Sequence, residues 1–273
     1  MPANQIRAKR EPAFHTSHSH FTLHTSRNYT PAMPPTTRPD QPLLSLVTAP
    51  PPTTIAEVIA LMQAIDAILP PADGLKWFNR LYLMVTQQVD LNPPNGQWQS
   101  PAWLTRLDVV FANLYFSAIA GSLTGETIPS AWNALFESRY QPNIDRILFA
   151  LAGMNAHINH DLALALVATD AELNVTPDPV SPEHTDYQSV NALLQSLMPA
   201  TLTMLASDTL GVLAQDTGKI GRVLAFWDIV QARNLAWDFA NQLRNLPGPL
   251  QTAALAAQDS LTGVVGRAIL AIT

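Results

Sequence analysis

From Thr53 to the C-terminus apolar residues return every three or four positions, and no segment of useful length alternates with period two. That spacing is one face of an α-helix, so the chain is expected to be all-α, a single compact bundle of about seven to nine helices with no sheet. The first helix shows the pattern best. Ile55, Val58, Ile59, Met62, Ile65 and Leu69 share a face, Thr53 or Thr54 offers an N-cap, and Pro70-Pro71 stops the run. Further helices are expected over residues 73–89, 100–123, 129–140, 143–169, 186–207, 221–245 and 250–272. Pro199 should kink or break the helix over 186–207. The run Asn92-Pro93-Pro94-Asn95-Gly96 is a loop, as is the Pro-rich stretch 176–182.

Residues 1–52 lack the pattern. They are rich in Pro, Thr, Ser and His, bury too little apolar surface to offset the entropy of ordering, and read as a disordered tail ahead of a domain over 53–273. Removing residues 1–50 is therefore expected to leave the thermal midpoint unchanged. His15, His18, His20 and His24 lie in this tail without fixed geometry, which leaves His157, His160 and His184 for the domain.

Charged residues are 13% of the chain against roughly 25% in a typical soluble protein, so most helix faces should be covered by neighbours. Net charge is −6, positive in the tail and negative in the domain, with no basic stripe interleaved with aromatics. Nucleic acid is not an expected partner. No run reaches the roughly 18 uninterrupted apolar residues of a membrane span, and no secretion signal opens the chain, so a cytoplasmic protein without a membrane partner is expected. Cysteine is absent, which removes thiolate ligands and Cys nucleophiles. The cofactor and oligomeric state are left open.

The chemistry-bearing residues concentrate where burial is expected. Gly153-Met154-Asn155-Ala156-His157-Ile158-Asn159-His160-Asp161-Leu162 interrupts an otherwise apolar helix flanked by Ile147, Leu148, Leu151, Leu164, Leu166 and Val167. Asn155 with Asn159, and His157 with Asp161, are spaced i, i+4, so each pair can touch. Buried amides and imidazoles cost about 1 to 3 kcal/mol each when unsatisfied, and other helices must answer them. Asp108, on the stripe of Leu104, Phe111, Ala112, Tyr115 and Ile119, is one candidate. Asp228, on the stripe of Leu224, Leu235 and Phe239, is another. Asp186 reads as an N-cap, and His184 beside it could swing over a pocket mouth; Arg233 and Trp237 share a face one turn apart.

The leading reading is acid–base chemistry on a small organic molecule in an interhelical pocket. His157 would be the acid or base, Asp161 or Asp108 would orient it, and Asn155 or Asn159 would donate to a substrate oxygen. His160, His184, Asp186, Asp228, Arg233 and Trp237 complete the expected lining. Two alternatives stand beside it: a metal-assisted hydrolase or oxygenase using His157, Asp161, His184 and a carboxylate, and a non-catalytic ligand-binding or scaffold protein whose polar cluster fixes helix register.

The order of Arg106-Leu107-Asp108-Val109-Val110-Phe111-Ala112-Asn113, the motif 153–162, His184 to Asn191 and Ala232-Arg233-Asn234 to Trp237 resembles an all-helical, mainly bacterial family known as a domain of unknown function. The resemblance spans roughly residues 54–270. It supports the domain boundary and implies no chemistry.

Overall fold

Helix ends are set by the capping chemistry that the sequence carries. In the computed structural model, which describes residues 40–206 and 228–272, Thr54 caps α2 (Ile55–Ile68) through a reciprocal box with Glu57. Asp73 caps α3 (Gly74–Leu91) by accepting from the Leu75 amide. Ser100 precedes α4 (Pro101–Thr124), which ends at left-handed Gly125 with φ 76°. Next come α5 (Ser130–Ser138), α6 (Arg146–Ala156), a π-helical turn (His157–Asp161) and α7 (Leu162–Leu173). The chain closes with α8 (Pro182–Ala206), α9 (Ile229–Asn245) and α10 (Gly248–Leu270). With α6, the π turn and α7 counted as one rod, nine α-helices and no strand are present among the described residues, as the periodicity predicts.

That rod is central. Its first half packs on α3, α5 and α10, the π turn touches α4, α5, α9 and α10, and its second half lies on α4 and α9. Gly153 is small because a Cβ there would come within 2.3 Å of the Phe78 ring. Phe78, Tyr115 and Trp132 form the aromatic heart around it, with ring centroids 5.0 to 5.4 Å apart.

Three expectations are corrected. A further helix, α1 (Asp40–Val47), lies inside the stretch read as tail. Its Leu43 is 0% exposed, and Asp40 accepts from Tyr140 and pairs with Arg139 at 3.3 Å, so residues from 40 onward belong to the domain. Composition missed this helix because one leucine and one carboxylate are enough to anchor eight residues on partners a hundred positions away. The expected disorder of residues 1–39 lies outside the described residues.

Of the kink or break expected at Pro199, the break does not occur: α8 continues to Ala206. Proline removes one amide donor only, and Leu194, Thr201 and Leu205 on either side of it are buried. The third correction concerns α9, which begins at Ile229; the part of this expected helix before Asp228 lies outside the described residues.

Among the described residues α4 alone is long and apolar enough to cross a membrane by length and composition, with half of its apolar window buried against the other helices.

Candidate functional site

The π turn does what a regular helix would not. The Leu162 amide donates to the His157 carbonyl five residues back, so one extra residue enters the turn and the side chains of His157, His160 and Asp161 converge. Asp161, 2% exposed, accepts from Trp132 Nε1 at 2.9 Å and His157 Nδ1 at 3.0 Å on one oxygen, and from His160 Nδ1 at 2.8 Å on the other. Burial would raise its pKa, but these hydrogen bonds and the imidazoles outweigh it and hold the carboxyl below its ordinary value. An ionised carboxylate only accepts, so both histidines carry their proton on Nδ1.

That tautomer leaves the other nitrogen of His157 as a bare lone pair. His157 is 3% exposed, its ring lies 3.5 Å from the Phe111 ring and nearly parallel to it, and its Nε2 has no hydrogen-bond partner among the described residues. Burial, opposed by Asp161, lowers its pKa, so the ring is neutral at pH 7. His160 differs. Burial pulls it down, but Asp161 and then Asp259, 3.7 Å from its Nε2, raise it on balance. Asp259 in turn accepts from the Ser130 and Ala131 amides at the start of α5.

His157 lines a partly open cavity of 70 Å³ between α3, α4, the α6–π–α7 rod, α8 and α9. By the same measure one water needs about 10 to 15 Å³, so the space admits several waters or a small organic group. Its wall is mostly apolar, with Tyr82, Leu104, Phe111, Leu162 and Val190 among the lining residues, and its polar members include Thr86, Asp108 and Arg233.

Asp108 is partly buried there. Desolvation, against the charge of Arg233 and with that of Asp90, pushes its carboxyl up to about 7. A carboxyl whose folded-state pKa exceeds its unfolded value holds extra protons in the native state between the two, so its contribution to stability falls as pH rises from about 4 through 7. Asp108→Asn, neutral throughout, should therefore gain on the wild type by about 1 to 2 kcal/mol between pH 5 and pH 8, allowing for partial exposure. Urea unfolding at both pH values checks this, and an equal offset at both would refute it.

His157, Asp108 and Arg233 are thus brought to one cavity, while other residues with expected roles serve elsewhere. Asn155 donates to the Thr262 carbonyl and accepts from Asn159, whose own carbonyl receives Gln258, so this pair fastens the rod to α10. Asp228 is the exposed N-cap of α9, bonded to the Val230 and Gln231 amides; of its stripe, Leu235 is 59% exposed, Phe239 is half-buried against the core, and Leu224 lies outside the described residues. Asp186 is not an N-cap of its own helix. It lies in the second turn of α8, 0% exposed, and accepts from the Gln99 and Ser100 amides ahead of α4.

His184 does not reach the cavity. Its Nδ1 meets the Pro179 carbonyl at 3.1 Å, and its ring lies 4.7 Å from Trp237, which packs on Trp103 and Tyr187. The four-ligand metal set that included His184 is therefore not assembled, and no group of three acidic or histidine side chains able to hold a metal occurs among the described residues. Residues that spacing overlooked include Tyr82, Thr86, Asn191 and Asp259. Only Asp259 carried a sequence signal, as the lone acid of α10.

No curated protein and no solved structure shows significant similarity to the chain. A family model does match, over residues 55–272, and it takes in every helix from α2 to α10, the π turn and the cavity. On that match the chain belongs to a family of unknown function, DUF5995.

Proposed function

We propose that the cavity is the active site of an enzyme that moves a proton within a small, mainly apolar organic molecule, without a covalent enzyme intermediate. One observation carries this reading: a neutral, almost fully buried imidazole that lines a cavity, whose Nδ1 is committed to a carboxylate and whose Nε2 is left without a hydrogen-bond partner among the described residues. That is the arrangement of a general base oriented by a second residue. Asp108 supplies the complementary acid, because a carboxyl near 7 still holds its proton in half of the molecules at neutral pH. Where environments push two titratable groups apart in this way, the roles of base and acid follow. Base and acid on one substrate suit an isomerisation or an elimination.

The test is deuterium uptake. Wild-type protein in heavy water with a panel of small ketones, enones and hydroxy acids should exchange carbon-bound hydrogen of at least one of them, read by proton NMR. His157→Asn keeps a donor for Asp161 and removes the Nε2 base, and should slow that exchange by about 10²- to 10⁴-fold while remaining folded. A folded His157→Asn protein that exchanges as fast as wild type overturns the reading, as does a panel with no exchange together with no change of the His157 resonances. The latter result would favour a scaffold role, for which the Asn155, Asn159 and Thr262 fastening already speaks.

A further inference from the structure

We infer that the ligand of this cavity is a small monocarboxylate, its carboxylate paired with Arg233 and its apolar body among the aliphatic and aromatic side chains of α3, α4 and α8. The inference rests on the cavity being the ligand site and adds the class of molecule that fills it.

The starting point is a buried charge without a counter-charge. Arg233 is 7% exposed; its Nε donates to Asn191 Oδ1 at 2.7 Å, its Nη2 to the Tyr187 carbonyl at 2.9 Å, and its guanidinium lies 4.1 Å over the Tyr187 ring. Every one of these partners is neutral. Among the described residues no carboxylate oxygen lies within the 4.0 Å of an ion pair, although the other well-buried arginine, Arg139, pairs with Asp73 and Asp40. Removing a guanidinium from water without a counter-ion is expensive, and a neutral amide could tie α8 to α9 at far lower cost. The positive charge is explained by something it meets in the cavity that it lines.

The character of that partner follows from the rest of the wall. Among the described residues Asp108 is the one acid of the lining; burial pushes its carboxyl up to about 7, and its neutral form leaves the guanidinium uncompensated and offers an O–H donor to an incoming anion. Among the described residues Arg233 is the one fixed cation of the lining, and His157 on the same wall is neutral, so one negative charge is matched and a second would find no counter-charge. A planar carboxylate suits a guanidinium whose orientation Asn191 and Tyr187 already fix. A cavity of 70 Å³ bounded mostly by Leu, Val, Ile and Phe then selects a short aliphatic or single-ring body without further polar groups.

Calorimetric titration of the full chain with butyrate, hexanoate and benzoate, each against its primary amide, tests this, with inorganic phosphate as a second anion and the His157 ring resonances as the reporter of location. At least one acid should bind about tenfold tighter than its amide and shift those resonances. Arg233→Gln should abolish the preference, and Arg233→Lys should retain part of it. If the amides bind as tightly as the acids and shift His157 equally, the carboxylate inference is wrong and the cavity reading stands. Phosphate binding more tightly than every acid would overturn it in favour of another anion. Should no probe move His157, both readings fall together. If Arg233→Gln does not fold, the comparison of acid with amide on wild-type protein still decides.

Discussion

Asp161→Ala should lower unfolding stability by about 3 to 5 kcal/mol, because one carboxylate answers three buried donors at once. Trp132 is 0% exposed, His157 3% and His160 8%, and each directs an N–H at Asp161. With the carboxylate gone, no water reaches the stranded groups without opening the packing of α5 against the rod. Asp161→Asn should lose less in total, since one oxygen still accepts, yet its amide hydrogens must face a donor on one side. The folded-state carboxyl titrates below its ordinary value, so the network's contribution is present at neutral pH and disappears only as pH falls through that lowered pKa. Urea unfolding of both variants at pH 7 reads the difference, and a loss under about 1 kcal/mol for Asp161→Ala would show that the network does not hold the rod. The same variant should release the tautomer of His157, so proton exchange in the cavity should fall even where the protein still folds.

The second large effect concerns the boundary of the domain. A chain beginning at Pro51 should be less stable than one beginning at Asp40 by at least about 3 kcal/mol, a fall in thermal midpoint of roughly 10 °C for a domain of this size. Leu43 fills a site in which it is 0% exposed, and large-to-small changes at such sites cost about 2 to 5 kcal/mol. Asp40 adds a second contribution, because Arg139 is 3% exposed and has two carboxylates, Asp40 and Asp73, around its guanidinium. Cutting at residue 51 leaves Arg139 with Asp73 alone and bares the side of the core that α1 covers. Comparing these two chains by calorimetry isolates residues 40–50. Equal midpoints would mean that α1 is only laid against the domain, and Leu43→Ala should reproduce most of the loss if it is not.

Both effects draw in part on contacts between residues far apart in the chain, Trp132 with Asp161 and Asp40 with Arg139, and these mark the line between what sequence and structure each decide. Local periodicity and capping chemistry determined the helices: Thr54 with Glu57, Asp73, and Pro101 in the first turn of α4 act within four residues of their own backbone, so their meaning is legible without a fold. The i, i+4 contacts of His157 with Asp161 and of Asn155 with Asn159 are legible for the same reason, and both are present in the fold. Asp186 and Asp228 show where that logic stops. Each is a carboxylate near a helix start, and the sequence assigned the capping role to the first and the core to the second. The fold reverses this, because Asp186 turns to the amides of Gln99 and Ser100 and Asp228 bonds its own helix. Which way a carboxylate faces depends on what packs above it, and spacing along one helix holds no information about its neighbours. The π turn, the unpaired charge of Arg233 and the cavity shared by His157, Asp108 and Arg233 likewise exist only once α3, α4, α8 and α9 close around the rod, since burial by other helices creates the lone pair, the raised carboxyl and the missing counter-ion alike.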